Sequence, residues 1–149
     1  MKVSADIVVL SPDNQVQLIV EVKSIKGTTD DWAAKMRRNL MTHALIPKSK
    51  FFLLALPGSL YLWRNITSAD AVQADYKVRA VEVLEPYVGD IPLEQLSENS
   101  LELVLRSWLS NLVSSNLTRE TAGPGLRWVF DSGLYETIQH GSIETAVAV

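Results

Sequence analysis

The chain has 149 residues, the length of one ordinary domain and too short for two separately cored ones. Hydrophobic residues make up 47% and charged residues 21%, which excludes wholesale disorder, and the lack of any cysteine excludes thiol catalysis, cysteine-based zinc sites and a disulfide framework. The net charge of −3 argues against indiscriminate coating of duplex nucleic acid, yet residues 23–50 set Lys23, Lys26, Lys35, Arg37, Arg38, Lys48 and Lys50 against only Asp30 and Asp31, a window able to neutralise a few phosphates.

Residues 3–10 and 15–23 read as two strands around the turn residues Ser11-Pro12-Asp13-Asn14. The unbroken apolar runs Ile7 to Leu10 and Leu18 to Val20 predict strands covered on both faces, at the centre of a sheet. Thr28 and Asp31 stand at capping-box spacing and predict a helix start. Trp32, Met36, Leu40 and Ala44 then recur every four residues, and Pro47 ends the helix. Phe51 to Leu56 and Ser59 to Trp63 form a strand pair around Pro57-Gly58.

Beyond residue 65 the pattern turns mainly helical. Ala80, Val81, Leu84, Tyr87 and Val88 have helical spacing ending at Gly89, although Pro86 falls inside it and Val78 to Val83 also suits a strand. Pro92 to Leu96 suggests a short helical turn. Leu101, Val104, Leu105, Trp108, Leu112 and Val113 define one face of a helix over 99–115, with Asn99 and Glu102 as its cap. Leu126, Trp128 and Phe130 alternate as a short strand, Ser132 opens a last short helix closed by His140-Gly141, and the tail is 142–149, with Ala146 to Val149 read as frayed. The whole is one domain over 1–149: a sheet-bearing core at about 3–64, a mainly helical remainder at about 65–141, and the tail. The order strand, strand, helix, strand predicts an α/β fold with a mixed central sheet flanked by helices.

The chemistry concentrates at Asp6 on the first strand and Glu21-Val22-Lys23 at the end of the second. Ionisable groups among Val, Ile and Leu are expensive to bury without a partner. Glu21 and Lys23 are two residues apart and share a face. An even hairpin loop spanning Pro12 to Gln15 sets Asp6 opposite Glu21 on that same face, leaving Ile7, Val9, Val16, Leu18, Val20 and Val22 as an apolar face for helices; an odd loop without a bulge puts Asp6 on the wrong side. Two carboxylates about 5 Å apart repel. A hard divalent cation, Mg²⁺ or Mn²⁺, relieves that repulsion, with Asp6, Glu21 and the Val22 backbone carbonyl as ligands. Lys23 is placed to orient an attacking water. The plain alternative is a strand-end ion pair of Glu21 and Lys23, with Asp6 capping a backbone group.

Asp, then a spacer, then Glu-x-Lys closing a second strand, followed by a helix and a strand, resembles the PD-(D/E)XK nuclease-like superfamily, with Ala5 where the motif's name has Pro. The stretches ADIVVLSPDNQVQLIVEVKSIKG, WAAKMRRNLMTH and FFLLALPGSLYLW are similar to a group of small bacterial, largely cyanobacterial, members. The resemblance implies a restriction-endonuclease-like core with a helical C-terminal part, and Mg²⁺-dependent hydrolysis of nucleic-acid phosphodiesters with Asp6, Glu21 and Lys23 as the catalytic residues. Lys26, Lys35, Arg37 and Arg38 are the candidate nucleic-acid contacts and DNA the first-choice partner, in a homodimer or with a protein partner. The alternative is a non-catalytic interaction module on the same fold within a larger nucleic-acid-processing complex. With no apolar run of membrane-spanning length and no signal-peptide pattern at the start, the expected location is the cytoplasm, off the membrane.

Overall fold

The computed structural model describes residues 5–43, 49–64 and 71–145. The chain folds as α/β: six strands form one mixed sheet with helices on both faces. In chain order these are β1 (Ile7–Leu10), β2 (Val16–Val22), α1 (Asp30–His43), β3 (Phe51–Ala55), β4 (Ser59–Arg64), β5 (Tyr76–Arg79), α2 (Ala80–Val88), α3 (Glu98–Ser114), α4 (Arg119–Ala122), α5 (Arg127–Asp131), α6 (Leu134–Ile138) and β6 (Ser142–Thr145). The strand order is β5-β4-β3-β2-β1-β6. β2 and β3 run parallel, joined through α1, and every other neighbouring pair is antiparallel.

The central strands β2 and β3 are buried on both faces, as their unbroken apolar runs demand. One face, with Ile7, Val9, Leu18, Val20, Val22, Leu53 and Leu62, packs against the helices that follow β5; the other, with Val8, Ile19, Phe52, Leu54, Tyr61 and Trp63, packs against α1. Among the described residues no helix is long and apolar enough to cross a membrane.

The β1–β2 hairpin reaches its register by an unexpected route. Ser11 N–H donates to the Gln15 carbonyl at 2.8 Å and Asn14 N–H to the Ser11 carbonyl at 2.9 Å, with Asn14 in the left-handed region at φ 65°. The loop proper is therefore the odd Pro12–Asn14, a turn followed by a left-handed residue. Parity is restored one step later: Leu10 pairs with Val16 but Val9 with Leu18, so Gln17 is an extra residue in β2. Below the bulge Val9, Val8 and Ile7 face Leu18, Ile19 and Val20, the pairing an even loop would give. Val16, expected on the face away from the carboxylates, instead packs on the α1 side, because the bulge turns it over.

Several boundaries differ from the sequence pattern. The cap of α1 is Thr29, whose Oγ1 accepts the Trp32 N–H at 3.1 Å, so the helix starts one residue later than the Thr28 spacing predicts. Ala33 and Arg37 are buried at the centre of its inner face, with Trp32, Met36 and Leu40 half-buried around them; Ala44 and Pro47 lie outside the described residues. Both patterns over 76–88 are realised in succession, since β5 ends at Arg79 and α2 begins at Ala80, containing Pro86 and closing at Gly89 with φ 64°. Ser97, not Asn99, caps α3, accepting the Ser100 N–H at 3.1 Å. The expected strand at Leu126 to Phe130 is helical instead. Pro124 opens a 3-10 turn, and Trp128 Nε1–H donates to the Gly125 carbonyl at 3.1 Å, a local bond that an extended chain cannot make.

The segment after Gly141 is not tail from residue 142 onward. Residues 142–145 form β6, paired antiparallel with β1; residues 146–149 lie outside the described residues. Just before it, Gly141 passes so close to the backbone that an added Cβ would sit 2.9 Å from the Ile138 carbonyl oxygen and closer still to that of Leu10. Gly141→Ala is therefore expected to destabilise the fold by about 1–3 kcal/mol through overpacking. Urea denaturation of the two proteins measures that difference.

Candidate metal and catalytic site

Three of the sequence-predicted residues meet at the end of β2. Asp6 lies immediately before β1, and continuing the observed register places it opposite Glu21. The contact is direct: Asp6 Oδ2 accepts the Val22 N–H at 2.7 Å. Lys23 follows on the same face as Glu21, its own N–H held by the Ala55 carbonyl at 3.0 Å. Because β2 and β3 are parallel, the triplet lies where both strands end, beside the chain that leaves toward α1. That chain is anchored by Ser24 N–H donating to Glu98 Oε1 at 3.2 Å.

Glu21 is the unusual member. It is only 3% exposed, and its Oε1 finds no hydrogen-bond partner among the described residues. Burial, and next the negative charge of Asp6, push its carboxyl up to about 8, while the Lys23 ammonium pulls in the opposite direction. At neutral pH and without a cation, Glu21 is thus mostly protonated. A hard cation fits this donor set: two carboxylates that repel when both are charged, one with an orphaned buried oxygen. The Val22 peptide also suits the expected ligand role, because a strand residue's N–H and C=O leave on the same side, and its N–H already faces Asp6. Among the described residues no group of three or more His, Cys, Asp and Glu side chains comes together, so a cation here would complete its coordination with backbone and water oxygens.

The basic window divides. Lys26, Lys35 and Arg38 are exposed, Lys26 on the segment leaving the site and the other two on α1. Arg37 departs from the expected surface role. It is 1% exposed, its guanidinium lies 5.9 Å over the Trp63 ring, and burial lowers its affinity for the proton while Asp75 acts oppositely. It lies on the face of α1 that packs against Trp63.

Sequence patterning did not reveal a second polar group at the same level of the sheet. Glu21 pairs with Leu54, Leu54 with Tyr61 and Tyr61 with Lys77, so these side chains share one face. Tyr61 Oη donates to Asp30 Oδ1 at 2.8 Å and Lys77 Nζ lies 2.7 Å from the same oxygen. The Lys77 hydrogen bond, then that of Tyr61, hold the Asp30 carboxyl below its ordinary range. This cluster ties the first turn of α1 to the sheet about 10 Å, two strand spacings, from Glu21. Only the register of four successive strands, β2 to β5, brings it to the level of Glu21.

No family model, curated protein or solved structure matches the chain.

The raised Glu21 carboxyl carries a pH signature. Between about 5 and 8 the folded chain holds a proton that the unfolded chain has released, so stability falls as pH rises through that window. Glu21→Gln removes this slope. Its stability relative to the parent is expected to increase steadily from pH 5 to 8 and then level off, measured by denaturant unfolding across the range.

Proposed function

We propose that the chain is a divalent-metal-dependent nuclease of the PD-(D/E)XK-like kind, acting on nucleic acid, in the first instance DNA, in the cytoplasm. The observation that carries the proposal is the pairing of Asp6 with a buried Glu21 whose Oε1 is orphaned, beside Lys23 at the shared end of β2 and β3. Asp6 and Glu21 would hold Mg²⁺ or Mn²⁺ with the Val22 carbonyl. Bound there, the cation polarises a phosphodiester and lowers the pKa of a water.

The remaining work belongs to the chain. Glu21 gives up its proton as the cation enters, so affinity is expected to strengthen as pH rises toward about 8. Asp6 is fixed in place by the Val22 N–H, which limits the reorganisation needed on binding. Lys23 presents an ammonium with three donors on the Glu21 face, suited to orienting the water and to balancing negative charge as it builds on the phosphoryl oxygens. Exposed Lys26, with Lys35 and Arg38 on α1, would guide the phosphate backbone with a salt-sensitive attraction.

One observation favours a second reading, a non-catalytic nuclease-like interaction module in a larger complex. One Asp6 oxygen is already engaged by the backbone and Glu21 is neutral at pH 7 without a cation, so the pair is also coherent as a structural device.

Purified protein is expected to cleave DNA with Mg²⁺ or Mn²⁺, and Lys23→Ala and Asp6→Asn to lower the rate at least about a hundredfold. Cleavage unchanged in both variants sinks the assignment. Millimolar Mg²⁺ or Mn²⁺ is also expected to raise the melting temperature of the parent and not of Glu21→Gln. No shift and no cleavage in the parent would establish the module reading.

A further inference from the structure

Lys23 is the first residue past the end of β2, and from there to Thr29 the chain follows no helix or strand. Its direction is set all the same. A peptide unit is planar, so a hydrogen bond to its N–H restrains the whole plane. Three successive planes are held here by three different partners. Val22 N–H donates to Asp6 Oδ2 at 2.7 Å, Lys23 N–H to the Ala55 carbonyl at 3.0 Å, and Ser24 N–H to Glu98 Oε1 at 3.2 Å. The last two planes flank the Lys23 Cα, and its φ and ψ are the rotations of those planes about it. The Ala55 carbonyl restrains the first rotation and Glu98 the second.

Glu98 is the remote member of this set. It stands 74 residues further along the chain, in the first turn of α3, where the helix dipole favours a negative charge. A charged acceptor roughly doubles the strength of a hydrogen bond. Other carboxylates of the same acidic stretch are engaged elsewhere: Glu82 lies 3.8 Å from Arg79 and Glu102 3.3 Å from Arg106. Among the described residues Glu98 forms no ion pair, and its bonded oxygen serves the end of β2. Past Ser24 the next amide held, among the described residues, is that of Trp32, by Thr29 Oγ1 at 3.1 Å. Lysine carries its charge on a flexible four-carbon stem, so a small rotation at ψ is amplified at Nζ.

We infer that Glu98 is a positioning residue: by holding the Ser24 amide it fixes the backbone angle from which Lys23 reaches the carboxylate pair, and so ties α3 to the chemistry of that site. The inference rests on the nuclease reading.

The test combines steady-state cleavage of DNA in Mg²⁺ with NMR of the full chain, following the Lys23 Cα and Cβ shifts, which report its backbone angles, and hydrogen exchange at the Ser24 amide. Glu98 is exposed, so its replacement leaves the core intact. Glu98→Ala is expected to lower kcat and kcat/KM together by about tenfold or more, to move the Lys23 shifts and to speed exchange at Ser24. Glu98→Gln keeps an acceptor in the same place and is expected to return all of these to near the parent. Ser97→Ala measures a purely structural role. It removes the α3 cap, in which Ser97 Oγ accepts the Ser100 N–H at 3.1 Å, and is expected to lower the melting temperature while sparing kcat and the Lys23 shifts. Unmoved Lys23 shifts in Glu98→Ala, or undiminished kcat in that variant of a cleaving parent, overturns the inference alone. So does Glu98→Gln no better than Glu98→Ala, or an equal loss of kcat in Ser97→Ala. A parent that fails to cleave sinks the nuclease reading, and this inference with it.

Discussion

One extra residue in β2 governs the distribution of side chains over this sheet. A strand alternates with period two, so a single-residue slip exchanges its faces. The odd Pro12–Asn14 loop alone would place Asp6 on the face away from Glu21. The bulge at Gln17 reverses that consequence, and Ile7 and Val9 of β1 meet the C-terminal helices while Asp6 joins Glu21 and Lys23. The same bulge turns Val16 toward α1 and leaves Gln17 buried beside Arg37. The placing of Asp6 with Glu21 and the burial of Gln17, toward opposite ends of β2, thus both descend from one local irregularity.

The parallel step from β2 through α1 to β3 supplies the second condition. It brings two strands to an end at the same level, the usual position of sites in α/β sheets. Around it the fold is firmly braced. Asp30, Tyr61 and Lys77 secure the start of α1 to β4 and β5, and Glu98 of α3 holds the backbone after β2. The acidic pair therefore sits in a rigid frame and not on a free loop. That frame sustains an energetically awkward group: burial and the neighbouring Asp6 make a charged Glu21 expensive, hence its carboxyl near 8.

Much of this was readable before the fold was known, for reasons that differ by element. Ile7 to Leu10, Leu18 to Val20 and Phe51 to Ala55 announce buried strands because strands covered on both faces tolerate few polar residues. Leu101 to Val113 announces α3 because its apolar residues hold a helical period over four turns. The alignment of Asp6 with Glu21 and Lys23 followed from parity, although the bulge that achieves it has no marker in Gln17 itself. The failures share a cause. At Leu126, Trp128 and Phe130 three alternating residues suit either structure, and a Pro-started turn with a local indole bond decides for helix. At Ser142–Thr145 four unremarkable residues become a strand because β1 offers an unpaired edge. Arg37 reads as a surface cation by its type, and only the packing of α1 on Trp63 turns it inside. Local pattern identifies what a segment prefers; the choice among near-equal preferences rests with distant partners.

The pairing of β6 with β1 has a consequence for synthesis on the ribosome. β1 is made before the other strands of the sheet and gains its inner neighbour, β2, within a few residues. Its outer edge waits until residue 145 has been made, on the order of ten seconds later. Through that interval the nascent chain presents an apolar ribbon with unsatisfied backbone groups, open to pairing with another polypeptide. Chaperone capture of the growing chain therefore has a defined target, and its release coincides with the arrival of four residues that alone have almost no tendency to order.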